Sequence, residues 1–119
     1  MKFEKKNTIY VPSLSTGSLV HTNTCFENCR LAGEAIGERG KKAEEVGRDA
    51  AVFLKKQLDT GAPVDEHMAD QLLPFMALAS SGKIHVAEIT NHAKTNISVI
   101  EKFLDVKFIM DEKNKIIKM

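Results

Sequence analysis

The clearest periodicity in the chain runs from Lys41 to Leu58. Ala43, Val46, Ala50, Phe53 and Leu54 recur there at three- and four-residue steps and form one apolar stripe, which predicts an amphipathic helix. Gly61, with Pro63 two residues on, supplies the stop. Asp65 is a good N-cap for a second helix, Glu66 to about Ala79, with Met68, Leu72, Phe75, Met76 and Ala79 on its buried side. Pro74 lies inside that run and should kink it or displace a hydrogen bond. Ser80-Ser81-Gly82 ends it. A third helix is expected from His92 to Leu104, capped by Thr90 or Asn91, with Ala93, Ile97, Ile100 and Leu104 facing one way.

Between these runs the pattern turns β-like. Thr8 to Leu14 is β-leaning, although Pro12 confines it to an edge or a strand end. Ser18 to Phe26 and Cys29 to Ile36 read as two arms of a hairpin, with Glu27-Asn28 as a tight turn. Gly37-Glu38-Arg39-Gly40 then breaks the second arm. Lys83 to Ile89 reads as a strand, Val106 to Met110 alternates like a half-buried one, and Lys115 to Lys118 suggests a short terminal one. The order β-β-β-α-α-β-α-β implies an α+β two-layer sandwich, with helices packed on one face of a mixed four- to five-stranded sheet. Residues 1–119 read as a single domain, with 1–7 and 111–119 expected to fray, and no internal repeat is visible.

Composition narrows the function classes. Of 119 residues, 43% are hydrophobic and 28% charged, the profile of a soluble globular chain. Seventeen Lys and Arg against sixteen Asp and Glu leave a net charge of +1, so a polyanion would have to bind at a local site rather than over a generally basic surface. The apolar-leaning stretch Leu72 to Ser81 is too short to span a bilayer, and Met1 to Lys6 has no apolar secretory core. Cys25 and Cys29 form neither a disulfide framework nor a complete zinc site. A cytoplasmic, reducing location without a membrane partner is the expectation.

Three short runs could carry chemistry. Gly37-Glu38-Arg39-Gly40 is a glycine-rich turn between a strand and a helix, which can present backbone N–H groups to phosphate or simply start the helix. It matches neither the dinucleotide fingerprint nor the P-loop. In Glu66-His67-Met68-Ala69-Asp70-Gln71, helical spacing lets His67, Asp70 and Gln71 share one face, where they could hold a polar ligand, a metal or a nucleobase edge. The same run also fits a solvated, polar first turn. Thr90-Asn91-His92-Ala93-Lys94-Thr95-Asn96 stands at a strand-to-helix junction. A histidine beside the positive end of a helix keeps a neutral ring nitrogen that can attack or accept a proton. Lys94 can supply positive charge to a phosphate, and Thr95 and Asn96 can supply donors; a capped helix with an exposed histidine is the alternative.

The other histidines say less. His85 alternates with Ile84 and Val86 and should face solvent, while His21 lies in a polar strand of uncertain register. A metal site from His67, Asp70 and His85 has no support from spacing, and Cys25 and Cys29 read as ordinary free thiols, so no metal ligand is assigned.

Taken in order, these runs resemble the RNA 3'-terminal phosphate cyclase family. The residues that carry the likeness are Gly37-Glu-Arg-Gly-Lys41, Ala43-Glu44, Gly61-Ala-Pro-Val-Asp-Glu-His-Met-Ala-Asp-Gln-Leu-Leu73, Asn91-His-Ala-Lys-Thr-Asn96 and Val99-Ile-Glu-Lys-Phe-Leu104, within residues 27–110. The joint presence of His-x-x-Asp-Gln and His-x-x-Thr-Asn, with Asp70 and His92 twenty-two residues apart, is the specific part. The resemblance implies an ATP-dependent ligase reaction that converts an RNA 3'-phosphate into a 2',3'-cyclic phosphodiester through a histidine–AMP adduct. It places His92 as the nucleophile, Asp70 and Gln71 in the nucleotide-site helix and His67 beside the adenine. Lys94, Thr95, Asn96 and Arg39 are the candidate phosphate or RNA contacts.

The likeness is to the final α/β repeat of a longer protein. The family's glycine-rich N-terminal segment, its metal-binding carboxylate and the groups that hold the triphosphate lie outside the matching residues. Magnesium with ATP is therefore expected to be held mainly outside this chain, and ATP binding by the chain alone should be weak at most. The expected partners are ATP, an RNA 3'-phosphate end and either the N-terminal cyclase portion or a second copy of the chain. The alternative reading is a noncatalytic RNA-processing or assembly module with relic nucleotide-site residues. His92 argues against the family's catalytically inert branch, which lacks that histidine.

Overall fold

The computed structural model describes residues 5–119. The expected hairpin forms: β1 (Ser18–Cys25) pairs antiparallel with β2 (Arg30–Gly37), from Ser18↔Gly37 to Cys25↔Arg30, and the turn closes through Phe26 N–H donating to the Cys29 carbonyl at 2.8 Å. α1 (Ala43–Thr60) lies across this hairpin and buries Val46, Ala50 and Leu54 against Leu31. Gly33 makes the close approach possible. A Cβ there would stand 2.7 Å from the Leu54 nitrogen and 2.8 Å from its Cβ, inside hard contact. Gly61 ends α1 in the left-handed conformation, φ 66°, as its position predicts.

The larger core belongs to α2 (Glu66–Ala79), β3 (Lys83–His85), α3 (Asn91–Phe103), β4 (Ile109–Asp111) and β5 (Ile116–Lys118). Leu73, Val86, Ala93 and Ile117 are fully buried at its centre. The three strands run antiparallel in the order β3-β5-β4, with Ile117 opposite both Ile84 and Met110.

The class is α+β; among the described residues there are three helices, and the strands form two sheets of two and three strands rather than one mixed sheet of four or five. The β1–β2 hairpin finds its cover in α1 and shares no ladder with the other sheet. Thr8 to Leu14 carries no strand: Ile9, Tyr10, Val11 and Leu14 are exposed, and β propensity without an edge to pair with makes no ladder. The strand expected over Lys83–Ile89 stops at His85. From there the chain changes partner, as Val86 N–H donates to the Lys115 carbonyl at 2.9 Å and Ala87 N–H to the Val64 carbonyl at 2.8 Å. The alternating run Val106–Met110 pairs only from Ile109 onward.

On α2 the buried residues are Ala69, Leu73, Met76 and Ala77, while Met68 and Phe75 are exposed. Beyond Gln71 this helix is apolar nearly all round, so periodicity cannot choose a face; packing chooses the one whose small residues, Ala69 and Ala77, join Ala93 of α3 in the core. Within the segment 111–119, for which fraying was expected, Ile116–Lys118 forms β5, the central strand of its sheet. The part of that expectation covering residues 1–4 lies outside the described residues, and residues 5–7 form no helix or strand.

Candidate functional site

Two lead-in segments build the site. Val64, just before α2, forms a parallel bridge with Val86, on the way into α3, and the Ala87-to-Val64 hydrogen bond fixes it. The lead-ins to both helices therefore run side by side, and Lys56 reaches both Glu66 and Glu88, so the two helix starts are neighbours at this end of the α2–α3 pair. Each start is capped by the side chain its sequence offers. Asp65 Oδ1 accepts from the N–H groups of His67 and Met68 at 2.9 and 2.7 Å, and Thr90 Oγ1 accepts from Ala93 N–H at 3.1 Å.

Cations from other elements tie this end together. Lys56 of α1 sets its Nζ 3.2 Å from Glu66 of α2 and 3.7 Å from Glu88 in the lead-in to α3. The hydrogen bond to Glu66, helped by the charges of both carboxylates, holds the Lys56 ammonium above its ordinary range. Lys115 donates to the Ala87 carbonyl at 2.8 Å. Lys94, in the first turn of α3, pairs with Glu112 of the β4–β5 turn at 2.7 Å.

His92, the second residue of α3, is exposed, and among the described residues its ring carries no hydrogen bond. Thr95 and Asn96 are exposed one turn along the same helix. On α2, His67 is exposed and stacks on Phe53 of α1, with centroids 5.6 Å apart and planes 16° from parallel. Asp70 is half-buried and Gln71 exposed a turn further on. This end thus offers two imidazoles, a carboxylate, an amide and a lysine beside two positive helix ends, a setting suited to a phosphorylated ligand.

Arg39 is not part of this group. It precedes the start of α1, and about 15 Å of helix, at 1.5 Å per residue, separates that start from Phe53 where His67 docks. The glycine-rich turn here is a turn: Lys41 N–H donates to the Glu38 carbonyl at 3.1 Å, Gly40 takes φ 87°, and Lys41 pairs with Asp49 at 2.6 Å.

The remaining candidates sit elsewhere. His85 is exposed, as expected, and His21 is an exposed cross-strand partner of Glu34 at 2.6 Å. Cys25 and Cys29 are free thiols. Among the described residues, no three or more His, Cys, Asp or Glu side chains are grouped to hold a metal ion, and no helix is long and apolar enough to cross a membrane. An apolar cavity of about 280 Å³, lined by Phe26, Cys29, Leu31, Leu58 and the Gly61–Pro63 turn, holds none of the predicted site residues.

Sequence reasoning missed the Phe53–His67 stack, the clasp of Lys56 on Glu66 and Glu88, and Gln57. The last sits one turn beyond Phe53 on the apolar stripe of α1, 1% exposed, and among the described residues neither amide atom has a hydrogen-bond partner. Its signal was visible: a glutamine in register with Val46, Ala50 and Leu54.

Comparison with known proteins adds a family likeness. A family model described as RNA 3'-terminal phosphate cyclase matches residues 4–110. The RNA 3'-terminal phosphate cyclase of Methanococcoides burtonii is 50% identical over 92 residues, covering 76% of this chain and 28% of the relative. That of Methanosarcina acetivorans is 51% identical over 100 residues, 84% of this chain and 27% of the relative. That of Pyrococcus abyssi is 48% identical over 99 residues, 83% of this chain and 29% of the relative. The chain thus spans under a third of the length of each of these relatives.

Proposed function

The chain belongs to the RNA 3'-terminal phosphate cyclase family, and we propose that it carries the nucleotidyl-accepting histidine of a cyclase acting with ATP on RNA 3'-phosphate ends. One observation supports the reading: the Val64–Val86 bridge sets the lead-in to α2, the helix of His67, Asp70 and Gln71, beside the lead-in to α3, the helix of His92.

In this reading a neutral ring nitrogen of His92 attacks the α-phosphorus of ATP. A P–N bond forms, the P–O bond to the β-phosphate breaks, and pyrophosphate leaves with the electron pair. An oxygen of the RNA 3'-phosphate then attacks the same phosphorus, and the imidazole departs with the P–N pair. The neighbouring 2'-hydroxyl closes on the 3'-phosphorus, loses its proton and expels AMP. His67, stacked on Phe53, flanks the adenine; Asp70 and Gln71 orient the nucleoside, and Lys94 neutralises phosphate charge. The described residues supply no ligand cluster for magnesium, and no step here runs through it. The remaining partners are the rest of a cyclase or a second copy of this chain. A reducing cytoplasmic setting suits its two free thiols.

The test supplies the chain with the N-terminal portion of a relative, ATP, magnesium and an RNA bearing a 3'-phosphate. The reading predicts a 3' end that becomes resistant to phosphatase only when both portions are present. If the two portions associate and the end stays sensitive, the chain is an assembly module instead.

A further inference from the structure

The lysine at the candidate site is already occupied. Lys94 Nζ stands 2.7 Å from Glu112 Oε1, and both side chains are open to solvent, 40% and 67% exposed. α3 has no acidic residue in its first turn, where acids usually sit, so the carboxylate at this place comes from another element. The turn that brings it is fixed from within: Asp111 accepts from Asn114 N–H at 3.0 Å and from Asn114 Nδ2 at 2.8 Å. Lys94 lies inside the stretch shared with the cyclase family, residues 4–110, whereas Glu112 lies beyond it.

Lys94 shares the first turn of α3 with His92, and a carboxylate bound to its ammonium takes the place that a phosphate oxygen of a ligand could take. We propose that Glu112 is a gate for phosphate: its carboxylate holds Lys94 in the ligand-free chain, and a phosphorylated ligand must displace it to gain that charge. Glu112 touches no reacting atom; it acts through Lys94, as a positioning residue. This inference rests on the nucleotide-site reading above. Because the pair is exposed, its effect is modest, and removing the carboxylate should tighten phosphate binding by about two- to fivefold, the range of a surface ion pair.

The test is a titration of the isotope-labelled chain with inorganic tripolyphosphate and, separately, with ATP, followed at the backbone amides of α2 and α3. Glu112→Gln should bind both ligands about two- to fivefold more tightly than the wild type, and Lys94→Met should bind them more weakly. The double variant should match Lys94→Met alone. If Glu112→Gln binds with wild-type affinity while Lys94→Met is weakened, the gate is wrong and the site stands. Equal tightening by Glu112→Gln in the Lys94→Met background would reduce Glu112 to a general surface charge and overturn the gate. No saturable shift at either helix with any variant would remove the nucleotide-site reading and the gate together.

Discussion

His67 and His92 hold equivalent positions, each the second residue of a helix whose cap precedes it, and the proposal gives them different work. The difference follows from their neighbours: His67 lies flat on Phe53, which suits an aromatic platform for a base, whereas the ring of His92 is exposed and, among the described residues, carries no hydrogen bond. His67→Ala is therefore expected to weaken nucleotide binding by the reconstituted pair, read as a raised KM for ATP, and to spare the linkage chemistry. His85→Ala, on the exposed side of β3, should change neither. Gln57 is the residue that stability measurements single out. Its buried amide has no hydrogen-bond partner among the described residues, so Gln57→Leu should raise stability by about 1 kcal/mol in denaturant unfolding. A loss of more than that amount would mean that the amide finds a partner in solution.

At the scale of elements, the caps deliver what the sequence offers. Asp65 accepts two backbone N–H groups, and Asp65→Ala should cost about 1 kcal/mol, measured by the same unfolding method. Glu101 ties the end of α3 to the lead-in of β4. It accepts from Phe108 N–H at 2.8 Å and pairs with Lys107 at 2.9 Å, and these two interactions, the backbone one first, hold its carboxyl below the usual range. With the folded pKa depressed, its stabilisation is present above the unfolded value, about 4.3, and is lost as pH falls through the folded one. Glu101→Gln should accordingly flatten the fall in melting temperature between about pH 6 and pH 3. The hairpin, the three helices and the caps were legible because each is written in local residues: Glu27-Asn28 between β1 and β2, Gly61 after α1, Asp65 and Thr90 before α2 and α3. The buried face of α2 was not, since nearly every position after Gln71 is apolar. Nor was the role of β5, whose strength comes from pairing with β3 some thirty residues earlier. The site divides the same way. His67, Asp70, Gln71 and His92 could be placed on helix starts from spacing alone, but the stack on Phe53 and the pairing of Lys94 with Glu112 depend on tertiary packing.

For the molecule as a whole, the two helices that begin at the candidate site leave large apolar side chains uncovered. Met68, Phe75 and Leu78 on α2 and Val99 and Phe103 on α3 are exposed, and Phe75, Leu78 and Phe103 are 70%, 75% and 83% so. Large apolar side chains in such number on helices that begin at the site favour association. The isolated chain is expected to self-associate in light scattering across micromolar to millimolar concentrations; a clean monomer throughout would contradict this. Phe75→Ser with Leu78→Ser should shift it toward the monomer without unfolding it, because neither side chain is buried. The central claim is that His92 is the group that accepts AMP. Its most direct measurement mixes the chain with the N-terminal portion of a cyclase and ATP labelled at the α-phosphate, then follows label retained on the protein. Label is expected on this chain, labile in acid and stable in alkali as a histidine–phosphorus bond is, and none in His92→Asn, whose amide is not nucleophilic while asparagine is tolerated near a helix start. Label that persists in His92→Asn, or a folded wild-type pair that never takes it up, would contradict the account.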